Sequence, residues 1–152
     1  MAQPTTQRFG ASIFYIEDPD TAGTFVKVVG MTSGELTLDK ATGSTVVPDK
    51  DDPDAAVWEQ KDVTSMSWSM SFSGVSTLEA MPLIEKVALL GASVNVRLVE
   101  KGAGTGSGTP DKRYAGAAII KFSKTWQRGE RVSVKVDVEG DGELDITSAA
   151  AA

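Results

Sequence analysis

The sequence contains no histidine and no cysteine. A Ser-His-Asp relay, a Cys-His pair and a His-based metal site are therefore all excluded. A Ser-Lys arrangement survives only on paper, because no spacing in the chain points to one. The absence of cysteine also excludes a disulfide framework and suits a reducing cytoplasm. Basic residues are outnumbered, with 15 Lys and Arg against 21 Asp and Glu for a net charge of −6. Phosphate binding draws its strength from clustered Lys and Arg that release counterions, so this balance argues against tight grip on nucleic acid. It does not exclude contact without affinity. Long apolar runs are missing too: nothing approaches the roughly 18 residues that a membrane span needs. The opening MAQPTTQRFG has no apolar core and does not read as a signal peptide. These absences lead to the expectation of a soluble protein made in a cytoplasm, with no membrane partner.

What is present is a β pattern. A chain of 152 residues with 41% hydrophobic content suits one domain with one core. Its most regular stretch is VTSMSWSMSFSG, residues 63–74. Ser65, Ser67, Ser69, Ser71 and Ser73 alternate with Met66, Trp68, Met70 and Phe72. A period of two puts the two sets on opposite faces of a strand. The apolar set is expected to fill a core against a helix, and the serine row to line a second surface that is small, polar and uncharged along the strand. Two readings of that row stay open: an ordinary solvent face, or a channel wall or close subunit contact.

Further strands are expected at 12–16 and 24–30, joined as a hairpin through Pro19 and Gly23, and at 34–38. Residues 39–62 break the pattern, with two prolines, six aspartates and little periodicity. Such long irregular segments are usually functional or disordered. Trp58 is out of place in this polar company and suits either a dock on its own domain or an anchor for a partner. The one convincing helix follows. Ser76 and Glu79 have the spacing of a capping box, and Leu83, Val87 and Leu90, with Ile84 and Ala88 alongside, form an apolar stripe that ends near Gly91. Pro82 suits a start closer to itself than to Ser76. After a strand at 93–100 comes the glycine-rich connector 102–109. It fits neither GxGxxG nor the phosphate-loop pattern, so no phosphate cradle is expected. Strands at 114–126 and 131–139, a GDG turn and a last strand in ELDIT complete the pattern, and residues 149–152 read as a disordered tail. The fold class is mainly β: a β-sandwich or barrel of about seven to eight strands with one flanking α-helix, in a single domain over 1–148.

Candidate sites are weak. Asp137, Glu139, Asp141, Gly142, Glu143 and Asp145 imitate part of an EF-hand loop, but Ser148 stands where the bidentate Glu belongs and the flanks are strands. Asp49, Asp51, Asp52 and Asp54 read better as a solvated loop than as a cation site. No carboxylate pair has a spacing that implies acid–base work, so neither an enzyme nor a cofactor is expected.

The order of these pieces is informative. An N-terminal hairpin leads to GMTSGELTL. A long acidic segment runs to Trp58 and Glu59, then come the alternating VTSMSWSMSFSG, the helix TLEAMPLIEKVALLG and a valine-rich C-terminal strand pair. This arrangement resembles the tail tube (major tail) proteins of long-tailed bacteriophages and phage-like gene transfer particles, over nearly the whole chain. The resemblance implies a virion structural protein that self-assembles into hexameric rings, with inner sheets joined around a channel. The rings stack into a tube that conducts DNA into the host without binding it tightly. It also implies tail-tip, tape-measure and terminator proteins as partners, and assembly in the cytoplasm of a host bacterium. The family's long inter-ring loop corresponds here to 39–62, with Asp39, Lys40, Asp49, Asp51, Asp52, Asp54 and Trp58 as its candidate contact residues. Ser65, Ser67, Ser69 and Ser71 become the candidate lumen or interface face. The alternative is a monomeric β-sandwich module that binds carbohydrate or protein through Trp58 and Trp126.

Overall fold

A computed structural model describes Thr6, residues 8–104 and residues 110–149. Residues 105–109 of the expected glycine connector and 150–152 of the expected tail lie outside the described residues. After a single 3-10 turn (Phe9–Ala11) come β1 (Ser12–Glu17), β2 (Phe25–Lys27), β3 (Met31–Thr45), β4 (Gln60–Val75), α1 (Met81–Ala88), β5 (Val94–Glu100), β6 (Asp111–Thr125), β7 (Ser133–Gly140) and β8 (Asp145–Ala149).

All strand pairs are antiparallel and form one sheet in the order β2-β1-β5-β6-β7-β4-β3. β8 pairs β6 over Asp111–Ala115, in the same row as β7, which pairs it over Ala118–Thr125. β7 and β8 thus make one broken row, interrupted by residues 141–144. The sheet is not flat. β1 and β4 lie four places apart, about 19 Å in a flat sheet at ~4.8 Å per strand. Yet the Phe14 and Phe72 rings stack with centroids 4.3 Å apart. The sheet therefore wraps over itself around one interior, as a barrel does. That interior holds Phe14, Ile16, Trp68, Met70, Phe72, Val96, Leu98, Ile120, Val134, Val136 and Val138. Burial of each such side chain contributes about 1.5–3 kcal/mol, and the strict alternation in β7 turns three valines inward at once.

The helix follows the expected position, and its buried face shares Ile84 and Val87 with the expected stripe. Met81, Ile84 and Val87 are its buried residues. Leu83 is only partly buried, and Leu90 lies past the Leu89 C-cap, 40% exposed. The Ser76–Glu79 capping box does not form. Instead the Ala80 N–H donates to Thr77 Oγ1 (3.3 Å), and Pro82 sits in the first turn, where no intrahelical N–H is needed. Gly91 does not adopt a left-handed conformation. Glu85 pairs with Lys124 of β6 at 3.0 Å, and Lys86 pairs with Asp18 and Asp20 of the β1–β2 turn, so ion pairs pin the helix on two sides.

The largest departure concerns 39–62. β3 runs on to Thr45 and β4 begins at Gln60, and the two remain paired out to Thr45↔Gln60. The irregular segment is only 46–59; the rest is a hairpin. A register shift between Ala41 and Thr42 leaves Thr64 as a bulge residue, whose Oγ1 donates to the Ala41 carbonyl at 3.1 Å. β4 meets β7 only from Ser69 onward. Among the described residues, 60–68 therefore have β3 as their only strand partner, and the hairpin projects past the body.

Candidate assembly surfaces

The first surface is built on the serine row. The register places Ser67 opposite Asp39, Ser69 between Thr37 and Glu139, Ser71 between Glu35 and Asp137, and Ser73 between Ser33 and Lys135. β6 extends the face with Lys121 opposite Asp137 and Ser123 opposite Lys135. Side chains paired across strands share a face. The serines are consequently not a plain uncharged surface: they form the floor of a trough between two acidic rows. Ser65, Ser67 and Ser69 are exposed, while Ser71 and Ser73 are half-buried. The Ser33 and Ser73 hydroxyls bond each other. Lys121 pairs with Glu139 at 3.0 Å and Lys135 with Asp137 at 3.8 Å, which among the described residues leaves Glu35 and Asp39 without a basic partner on this face. Four carboxylates (Glu35, Asp39, Asp137, Glu139) against two ammonium groups give the face a net charge of −2. Reading one strand at a time identified the serines but missed Glu35, Asp137 and Glu139. The alternating charges of SVKVDVE were the available signal.

The second surface is the projecting hairpin. Asp39 and Lys40 are strand residues within β3, not loop residues, and Asp39 belongs to the acidic trough. Asp49, Asp51, Asp52, Asp54 and Trp58 do lie in the 46–59 loop, and all are exposed, Trp58 at 95%. The loop is braced by its own short bonds: the Asp51 N–H donates to Asp49 Oδ1 (2.9 Å) and the Ala55 N–H to the Asp52 carbonyl (3.1 Å).

Trp68 anchors the base of that hairpin. It is the last β4 residue before β7 pairing begins, and only 5% of it is exposed. Its ring lies over Gly116 and Gly140, where an added methyl group would overlap it. Its Nε1–H donates to the Gly142 carbonyl at 3.1 Å. The glycines and the break between β7 and β8 together make room for the indole. Just beyond, the groove between the hairpin and β8, about 540 Å³, is lined by Leu38, Met66, Leu144 and Ile146 around Trp68. Met66 was expected in the core but is 63% exposed, because the strand has already left the body beneath it.

Trp58 and Trp126 do not form a common platform. Trp58 lies in the loop beyond the Gln60 end of β4. Trp126 follows β6 next to Thr125↔Ser133, and Ser133 pairs with Val75 at the other end of β4. Asp111, 2% exposed, is a structural carboxylate: it accepts from the Gly102 N–H (3.2 Å) and the Lys101 ammonium (3.1 Å). The Gly102 N–H first, then Lys101, hold its carboxyl below the ordinary Asp range. Among the described residues no group of three or more acidic side chains is placed to hold a metal ion, and no helix is long and apolar enough to cross a membrane.

A wrapped sheet with a fifteen-residue strand at its edge, a hairpin reaching past the body and an acid-bordered face defines a structural assembly subunit. The comparisons give the family. The sequence model of the phage tail tube proteins matches residues 6–145, and the chain belongs to that family. A search of curated proteins finds no match. Solved structures of similar fold include a chain in the tail of an empty gene transfer agent (GTA) particle refined with helical C6 symmetry. Its TM-score is 0.74 at 13% identity, over 93% of this chain and 99% of that one. The SPP1 tail tube has a TM-score of 0.67 at 9% identity, over 96% of this chain and 81% of that one. A chain from the sheath-tube complex of the extracellular contractile injection system PVC, in the extended state, has a TM-score of 0.60 at 10% identity, covering 95% and 93%.

Proposed function

We propose that this tail tube protein forms hexameric rings that stack into the DNA conduit of a virion or phage-like particle, with the serine–acid trough facing the channel. The single observation that carries this reading is the combination, on β3 and β4, of an open edge, the trough and the projecting hairpin. An unpaired edge of fifteen residues is an aggregation hazard unless another chain covers it. Closure of neighbouring sheets into a ring removes that edge. The GTA tail was refined with C6 symmetry, which supports six copies per ring.

The trough suits a conduit. Small hydroxyls leave its floor unobstructed, and a net charge of −2 per copy, repeated around a ring, repels a polyanion without binding it. The chain acts without catalysis or a cofactor, and its role is mechanical. Residues 1–148 act as one unit, with 39–62 as the arm that reaches the next ring. Similar folds in the anti-feeding prophage baseplate and in a sheath-tube complex support contacts with further tail components. The monomeric binding-module alternative loses its basis with the separation of Trp58 from Trp126.

The test is removal of the loop. Replacement of 46–59 by Asn-Gly keeps the Thr45↔Gln60 closure and supplies a two-residue hairpin turn. The shortened protein is expected to fold as the parent does and to fail to stack. Normal tubes from it would contradict the inter-ring role of the arm.

A further inference from the structure

The proposed stacking requires a surface to receive the arm. Resting on that reading, we infer that the exposed turn between β6 and β7, through Arg128 and Arg131, is the seat for the acidic loop of a second copy in the next ring.

Three observations lead to this pairing. The first is position. β4 starts beside the loop at Gln60 and ends at Val75, opposite Ser133, and the Ser76 N–H donates to the Val132 carbonyl at 2.8 Å. The loop and the β6–β7 turn thus occupy opposite ends of one sixteen-residue strand, about 50 Å apart at ~3.3 Å per residue. Copies stacked along the strand direction bring the loop of one to the turn of the next. Such a head-to-tail contact does not close on itself and generates a filament.

The second is charge. The loop carries Asp49, Asp51, Asp52, Asp54 and Glu59 against Lys50, a net of −4. The turn carries Arg128 and Arg131 against Glu130, a net of +1. Flanking cations are already engaged: Lys124 with Glu85, Lys121 with Glu139 and Lys135 with Asp137. Among the described residues, Arg128 and Arg131 take part in no ion pair, and both are exposed. Guanidinium groups bind carboxylates with two parallel hydrogen bonds, so free arginines suit an aspartate-rich partner.

The third is shape. Gly129, at φ +84°, and the Glu130 N–H bond to the Gln127 carbonyl (3.1 Å) close a tight turn that presents the arginines beside Trp126, 72% exposed. The loop offers Val46, Val47 and Trp58 in exchange, all exposed. Aromatic residues and arginine together are enriched in the centres of protein interfaces.

A charge-swap series tests the inference in full-length protein, with tube growth followed by light scattering and electron microscopy. The reversed turn (Arg128→Glu with Arg131→Glu) and the reversed loop (Asp51→Lys with Asp52→Lys) are each expected to slow growth by about tenfold or more at low salt. All four changes together are expected to restore growth to within about threefold of the parent, since the pairs between positions 51 and 52 and positions 128 and 131 are remade with signs exchanged and the loop, now neutral overall, no longer repels the turn. Thermal melting of each dilute variant should match the parent. Reversed variants that grow like the parent, or a quadruple variant that stays as poor as the two double variants, would overturn this seat and leave the tube reading standing. Loss of binding to some other tail protein with tube growth intact would equally overturn it. A parent that never stacks refutes both the seat and the function on which it rests.

Discussion

The Trp68 seat makes a quantitative claim about how the arm is held to the body. Gly140 has no left-handed backbone, and the three atoms nearest an added methyl group all belong to the indole, which is what demands glycine there. Gly140→Ala should then cost about 1–3 kcal/mol by overpacking the ring. Trp68→Leu removes most of a buried ring and the 3.1 Å bond to Gly142. Full truncation of such a side chain costs about 3–5 kcal/mol, leucine retains part of that, and the lost hydrogen bond adds about 1 kcal/mol. The expected total is about 3 kcal/mol, or roughly 6–12 °C in Tm for a chain of this size. In the double variant the methyl group has no ring to strike. The penalty of Gly140→Ala should vanish, giving a coupling of about 1–3 kcal/mol. Urea denaturation of the four proteins, extrapolated to water, measures it. Additivity within about 0.5 kcal/mol would refute the seat as the reason for glycine at 140.

Other substitutions examine the two faces of β4 and one buried carboxylate. Met70→Asp places an unpaired charge in the core and should unfold the domain at room temperature, as circular dichroism would show. Ser67→Lys and Ser69→Lys lie on exposed positions beside Asp39 and Glu139 and should change stability by no more than about 0.5 kcal/mol. If the trough is the channel wall, both should nevertheless impair tube growth or DNA delivery; variants that assemble and deliver normally would return the serines to plain solvent exposure. The carboxyl of Asp111 has a folded pKa below its ordinary 3.8, so its contribution is complete above that value and is lost as pH falls through the folded one. Asp111→Asn should therefore lower Tm near pH 6, with the gap to the parent narrowing below about pH 4.

The alternation of β4, whose Trp68, Met70 and Phe72 turn inward, the inward valines of β7 and the helix were legible because each presents residues to a core, and a core imposes periodicity. The outer half of the β3–β4 hairpin was not. DKATGST faces no body, so no apolar alternation marks it as strand, and the residues that pair with it sit some twenty positions away. The margins of the helix stripe were less legible, because eight residues leave its phase open, and Leu90 joins the apparent stripe only if the helix continues past Leu89. The acidic trough depends on register across four strands, from Glu35 through Ser71 and Asp137 to Lys121. The tryptophan seat draws on positions 68, 116, 140 and 142, and nothing local to any one of them announces the others.

The central claim is that this chain builds a tube whose wall is the serine–acid trough. Electron cryomicroscopy of the concentrated protein, with a helical reconstruction, addresses it most directly. The account predicts hollow tubes of stacked rings, with Ser67, Ser69 and the neighbouring Asp39 and Glu139 turned toward the channel and the 46–59 loop crossing into the next ring. Protein that stays monomeric at every concentration, or tubes that carry the serine row on their outer surface, would contradict it.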